Sequence, residues 1–267
     1  MLTLIQAGVL IAGSTIGAIT DAKTGYIYDW VTYPMIGIGF LLAIAQQQWN
    51  NVIIGAGLFV LLYIAYKFGK LGGGDVKLFV GIALLNPNND YYFLATVMLF
   101  AAMSAMVFFS IYFFIKYYKK GITYKENKKG ITKATLFGVI IVGYFAFMMN
   151  AGYITQSSAA LIATPLMFGL VFIALQKGIT KNFFEKKILI NQIEEDEVIA
   201  EERNTKKALA LLKGKRLVGI AEAKLLKKNG VKEIYVLRGL PPFGPFILIG
   251  VLGALIAPEF FIYLFMR

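Results

Sequence analysis

The chain has 267 residues, 58% of them hydrophobic, and a formal net charge of +12. That much apolar surface exceeds what one soluble core of this length needs, so the chain is a multispanning membrane protein. It contains neither Cys nor His, which excludes thiol nucleophiles, Ser-His pairs, His-containing zinc sites and Cys-ligated clusters, and leaves carboxylates, Ser, Thr or Lys for any hydrolysis.

Leu2 to Thr20 is an apolar run of nearly membrane-spanning length with no basic residue before it and no small-residue cleavage pattern, and it reads as a retained helix. Gly13 and Gly17 lie four apart, the spacing of a GxxxG face that lets a neighbouring helix come close, and equally the spacing of ordinary membrane glycines. Further apolar stretches span Val31 to Ala45, Val52 to Tyr66, Val76 to Leu85, Tyr91 to Ile115, Ala134 to Met149, Ser157 to Leu175 and Phe243 to Phe265. The expected fold is an all-α polytopic membrane protein of about eight transmembrane helices with a small cytoplasmic α/β domain. The fourth stretch is too short to cross alone, since about a dozen helical residues rise about 18 Å against a hydrocarbon core of about 30 Å. Its start is therefore sunk below the surface and reached through Gly72, Gly73 and Gly74, expected to form a flexible or sharply bent turn.

The domain reading has four parts. Residues 1–116 are membrane helices one to five. Residues 117–176 are a basic loop and an extra helix pair over 134–175, residues 177–241 a cytoplasmic α/β domain, and residues 242–267 the final helix. Within the α/β segment, Lys187 to Ile193 and Val231 to Leu237 read as strands, Glu194 to Leu212 as a helix, and Ile220 to Lys228 as a shorter helix closed by Gly230. Glu194, Glu195, Asp196, Glu197, Glu201 and Glu202 would make a solvated face of the longer helix, or a patch that attracts a basic peptide.

The basic residues sort by loop. Lys23 follows the first helix, and Lys67, Lys70 and Lys77 surround the third-to-fourth connection. Seven lysines run from Lys116 to Lys133, fifteen basic residues from Lys177 to Arg238, and only Arg267 falls on the other side. Positive-inside bias then puts both termini outside. The charge is topological, and nucleic acid is not an expected partner.

This topology places Asp21 at the cytoplasmic end of the first helix and Asp75 at the cytoplasmic start of the fourth, at a shared depth. An acid at the centre of a membrane helix costs about 2.5 to 3.5 kcal/mol on insertion scales, so such residues face a bundle interior or a watery cavity. Two carboxylates from different helices suit aspartyl proteolysis, one ionised to activate water and one protonated to hydrogen-bond the scissile carbonyl. On residue types alone, structural pairing of these acids with Lys23 and Lys77 is an equal alternative. Helix ends favour charge on Asp75, ahead of the fourth helix, and the proton on Asp21, at the end of the first, making Asp75 the expected base.

Gly72-Gly73-Gly74-Asp75 fits the GxGD signature of intramembrane aspartyl proteases, and with Asp21-Ala22-Lys23 upstream the chain resembles the prepilin peptidases. The segment from Asp21 to Trp30 is similar to that family's Asp-x-Lys stretch, with Tyr28 in place of its proline. Absence of that proline, a cytoplasmic domain, and Pro242-Phe243-Gly244-Pro245 ahead of the last helix are similar to the archaeal preflagellin (prearchaellin) peptidases. The resemblance covers Met1 to about Lys116 and again about Lys186 to Arg267. It implies Asp21 and Asp75 as catalytic residues, Gly72, Gly74, Lys23 and Lys77 as supporting motif residues, no cofactor, and a lipid bilayer as surroundings. The implied reaction removes the short basic leader of type IV pilin-like or archaeal flagellin precursors at the cytoplasmic membrane face.

Two departures bear on this. The preflagellin peptidases are expected to have six membrane helices, so the pair over 134–175 is an insertion and leaves pilin against flagellin open. The tetracysteine zinc site of bacterial methylating prepilin peptidases cannot exist in a cysteine-free chain, so N-methylation after cleavage has no support. The alternatives are a presenilin or signal-peptide-peptidase type of protease, suggested by Tyr28-Asp29, and a proton- or cation-coupled carrier.

Overall fold

The computed structural model of the chain describes residues 2–265, so Arg267, the basic residue expected on the opposite side, lies outside them. The membrane part runs through α1 (Leu2–Thr24), α2 (Asp29–Ala45), α3 (Trp49–Lys67), α4 (Gly73–Leu84), α5 (Tyr91–Lys120), α6 (Tyr124–Asn150) and α7 (Gln156–Ile179). A π-helical turn, Thr180–Phe184, leads into a small sheet unit of β1 (Glu185–Leu189), β2 (Glu197–Ile199), α8 (Lys206–Leu211), β3 (Leu217–Val218), α9 (Ile220–Lys228) and β4 (Glu233–Leu237). The chain then rejoins the bundle with α10 (Gly244–Ile256) and α11 (Phe260–Phe265). Five helices, α1, α3, α5, α6 and α7, are long and apolar enough to cross a membrane, while α2 and α10 are apolar but shorter. The protein is a multi-pass membrane protein, mostly helical, with one small antiparallel sheet.

The short fourth helix is the centre of the bundle. Apart from Lys77, every α4 residue from Val76 to Leu84 is buried, and it joins Leu10, Met35, Leu62, Phe93 and Ile247 in one core cluster. A helix that is apolar all round belongs inside its neighbours, and α1, α2 and α3 enclose this one. Gly13 and Gly17 both serve helix packing: Gly13 lies against Met35 of α2, and a Cβ at Gly17 would sit 3.5 Å from Ile27 and 3.6 Å from Leu78.

Three expected features come out differently. The basic loop between the fifth and sixth helices is almost absent, because α5 continues to Lys120 and α6 begins at Tyr124. Lysine stems lie along apolar surface while the ammonium reaches water, so helices carry their lysines past the hydrocarbon edge. The final helix is broken: α10 stops at Ile256, and α11 starts after Pro258, which has no N–H to give an intrahelical bond. The Pro258 carbonyl instead accepts from Thr96 Oγ1 at 3.2 Å.

The long helix expected over Glu194 to Leu212 is mostly strand and turn, with only α8 remaining. Val198 and Ile199 pair with Leu237 and Val236, so β2 adds to β4, and the four strands run β1-β4-β2-β3, all pairs antiparallel. The acids are individually engaged instead of sharing one helix face. Glu197 is buried against Arg238, Glu201 pairs with Arg216 at 2.8 Å, Glu202 pairs with Lys177 at 2.5 Å, and Glu195 Oε1 accepts from Ile220 N at 3.3 Å. Burial of Ile188, Ile199, Leu212, Leu226, Ile234 and Val236 gives the unit its own core. It meets the bundle at Gly69, whose φ of +63 suits glycine and where a Cβ would lie 3.4 Å from Val198 and 3.5 Å from Leu217.

Candidate active site

Asp21 lies in the last turn of α1 and is buried. The chain reaches it again more than two hundred residues later. Beyond β4, Pro241 and Pro242 lead into α10, Pro245 is set in the first turn of the new helix, and the first N–H groups of α10 are free of intrahelical partners. One of them is used here: Gly244 N donates to Asp21 Oδ2 at 2.6 Å. A carboxylate at a helix N-terminus is a favourable arrangement. A side chain at 244 would be tight, since its Cβ would be 3.0 Å from both Asp21 Cβ and Oδ2 and 3.3 Å from the Ala18 Cα.

Asp75 is the third residue of α4 and only partly buried. Its side chain turns back over Gly72, the N-cap residue, so that a Cβ at 72 would be 2.9 Å from Asp75 Oδ2. This is the reach of an acid in a capping box towards the N-cap backbone. Asp75 therefore sits inside the first helical turn, since α4 begins at Gly73, three residues before the expected start at Val76. The glycines are not strained: Gly72 has φ −71, and none of Gly72 to Gly74 has positive φ. Gly74 is required for closeness, because a Cβ there would be 2.8 Å from the Ile27 carbonyl oxygen and 2.9 Å from the Ile27 Cβ. Buried Ile27, in the α1–α2 connection, is thus held between Gly17 of α1 and Gly74 of α4, and it locks the two acid-bearing helices together.

The packing of α1 on α4, with Ile27 seated against Gly17 and Gly74, sets the two acid-bearing helix ends side by side, within electrostatic range of each other. Neither acid forms an ion pair among the described residues, which removes the pairing with Lys23 and Lys77. Lys77 Nζ is 2.5 Å from Asp29 Oδ1 and 4.8 Å from the Tyr33 ring centroid, so Asp29 is tied away from the site. Lys23 is exposed. Gly244 and Ile27 carry no chemical signal in the sequence; only the Pro-Phe-Gly-Pro run pointed to the first of them.

Residues 8–121 match the sequence profile of the type IV leader peptidase family. That matched stretch, less than half of the chain, contains both acids. An 89-residue stretch is 36% identical to a prepilin peptidase, EppA, of Methanothermobacter thermautotrophicus, covering 29% of this chain and 23% of that relative's length. No solved structure matches the chain. The leader-peptidase part takes in α1 to α5 and both acids, and leaves out the α6–α7 pair, the sheet unit and Gly244.

Proposed function

We propose that the protein is a membrane aspartyl endopeptidase that removes the short basic leader of type IV pilin-like or archaeal flagellin precursors at the cytoplasmic membrane face. The observation that carries this reading is the meeting of Asp21 and Asp75 from separate helices, both free of ion pairs. The leader-peptidase match and the prepilin peptidase relative supply the substrate class.

In this reading the two carboxyls share one proton, because like charges so close do not both ionise readily. The charged member takes a proton from water as its oxygen attacks the scissile carbonyl carbon. The protonated member hydrogen-bonds the carbonyl oxygen, and the leaving amine takes up a proton as the C–N bond breaks. Gly244 N–H holds Asp21 Oδ2 in place. Sequence reasoning assigns the base to Asp75 from its helix end, but Asp21 also faces a positive helix end, that of α10. That argument no longer separates the two, and the pair acts as one titrating unit.

The test is incubation of the purified protein with pilin and flagellin precursors, followed by mapping of any new N-terminus. Cleavage just before the precursor's hydrophobic segment, with a bell-shaped pH profile, is expected. Near-parental cleavage in Asp75→Asn, or a rate that stays flat across pH with chemistry as the slow step, overturns the reading.

A further inference from the structure

Between α5, α7 and α10 the protein surface is cut by a groove. One part, of about 700 Å³, runs beside Met103, Val107, Ile111 and Pro165; a second, of about 550 Å³, reaches Lys116, Phe183 and Leu240. Phe108, Tyr112, Phe246 and Ile249 line both, so the two are continuous. From Met103 to Lys116 the groove follows α5 for about 20 Å at the helical rise. Half of the hydrocarbon core is about 15 Å, so the groove takes in one leaflet and ends at headgroup level beside the sheet unit.

Its chemistry is divided along that length. The deep part is alkyl and aromatic; of its two hydroxyl-bearing residues, Tyr112 lies towards the shallow end and Ser104 Oγ already donates to the Phe100 and Ala101 carbonyls at 2.7 and 3.1 Å. At the shallow end Lys116 lines the groove, its Nζ 4.9 Å from the Phe183 ring centroid; Lys120 Nζ, 5.3 Å from the same ring, stands beside the mouth and donates to the Asn182 carbonyl at 3.4 Å. Neither ammonium has an acid within ion-pair distance among the described residues, and no acid lines the groove. Nearby Lys181 is neutralised by Glu126.

We propose that this groove seats one anionic phospholipid, an acyl chain lying along Met103 to Phe246 and its phosphate at Lys116 and Lys120. A basic pocket between membrane helices suits an anionic headgroup, and a single leaflet's length suits an acyl chain. A partner transmembrane helix would need about 30 Å of surface.

The test is native mass spectrometry of the full chain in neutral detergent, titrated with phosphatidylglycerol or phosphatidylcholine. One phosphatidylglycerol should be retained per chain in preference to phosphatidylcholine. Lys116→Gln should cut that preference about fivefold, the contribution of one basic residue near an anionic headgroup. Val107→Trp, which fills the apolar part, should lower retention of both lipids. Equal retention of the two lipids by the parent protein, or an unchanged preference in Lys116→Gln, overturns the proposal. So does displacement of the lipid by inorganic phosphate alone, or a photo-crosslinker at position 107 that captures a pilin precursor in preference to lipid.

Discussion

The acid pair and the α6–α7 pair both depend on glycines that let backbone come close, yet they use the closeness for different ends. At the acids, Gly244 brings an N–H to Asp21 and Gly74 seats Ile27 against α4. In the helix pair, Gly130 lies against the backbone of Ile173 and Ala174, where a Cβ would be 2.8 and 2.6 Å from their carbonyl oxygens. Asn127 then ties three helices, donating to Tyr117 Oη at 3.0 Å and accepting from Gly178 N at 3.1 Å. None of these helix-pair contacts reaches Asp21 or Asp75. The same residue type thus builds a reactive geometry in one region and plain cohesion in the other, and each region should fail in its own way.

The largest effect is expected at the acids. Asp21→Asn and Asp75→Asn should each lower cleavage between about 100- and 10,000-fold while leaving the thermal midpoint near that of the parent. Near-normal turnover in either would take that residue out of the mechanism and dissolve the contrast. Gly74→Ala comes next. The methyl would press on the Ile27 backbone, which cannot rotate aside, so α4 and Asp75 must shift. A misplacement approaching 1 Å costs about 100-fold, and kcat should fall further than KM rises. Full activity would show that the Ile27 connection yields freely.

How much of this was legible in the sequence follows from the range of each signal. Apolar runs are local, so each expected apolar stretch coincides with helix, though only five helices are long enough to cross a membrane and the last stretch is split in two, and α9 keeps its predicted bounds of Ile220–Lys228. Asp21 and Asp75 stood out because carboxylates at hydrophobic segment ends are costly. The Gly244–Asp21 bond joins residues too distant for periodicity to register. Glu194 to Leu212 misled because charge order along the chain imitates a helix, whereas the deciding contact, Glu197 with Arg238, is made across the sheet. The glycine run reads as a bend because glycine's conformational freedom is a local property, whereas the need for an absent Cβ at Gly74 is set by Ile27.

Gly244→Ala sharpens the comparison. Its Cβ would approach Asp21 to 3.0 Å, a contact relieved by a few tenths of an ångström of movement. Activity should drop about tenfold through the displaced N–H, with little loss of stability. Asn127→Ala should do the reverse. It removes the bonds to Gly178 N and Tyr117 Oη, at a cost of about 1 to 3 kcal/mol for the two, and turnover per folded molecule should be unchanged. If Asn127→Ala slowed cleavage without melting earlier, the helix pair would be part of the active machinery.

The smallest effect should come from Lys77→Gln, and it probes the boundary of the reactive region. Lys77 lies only two residues beyond Asp75, so a positive charge there is well placed by sequence to hold that acid ionised. The structure spends the charge elsewhere, on Asp29 at 2.5 Å, with the Tyr33 ring alongside. A paired charge exerts little net field on a third group. The pair is also half-exposed, and exposed pairs contribute about 0 to 1 kcal/mol. Lys77→Gln should therefore lower the thermal midpoint slightly and leave both limbs of the cleavage pH profile in place. Were the acid limb to move instead while the fold held, Lys77 would belong to the acid pair, and the boundary between reactive and cohesive contacts would lie one helical turn further along α4.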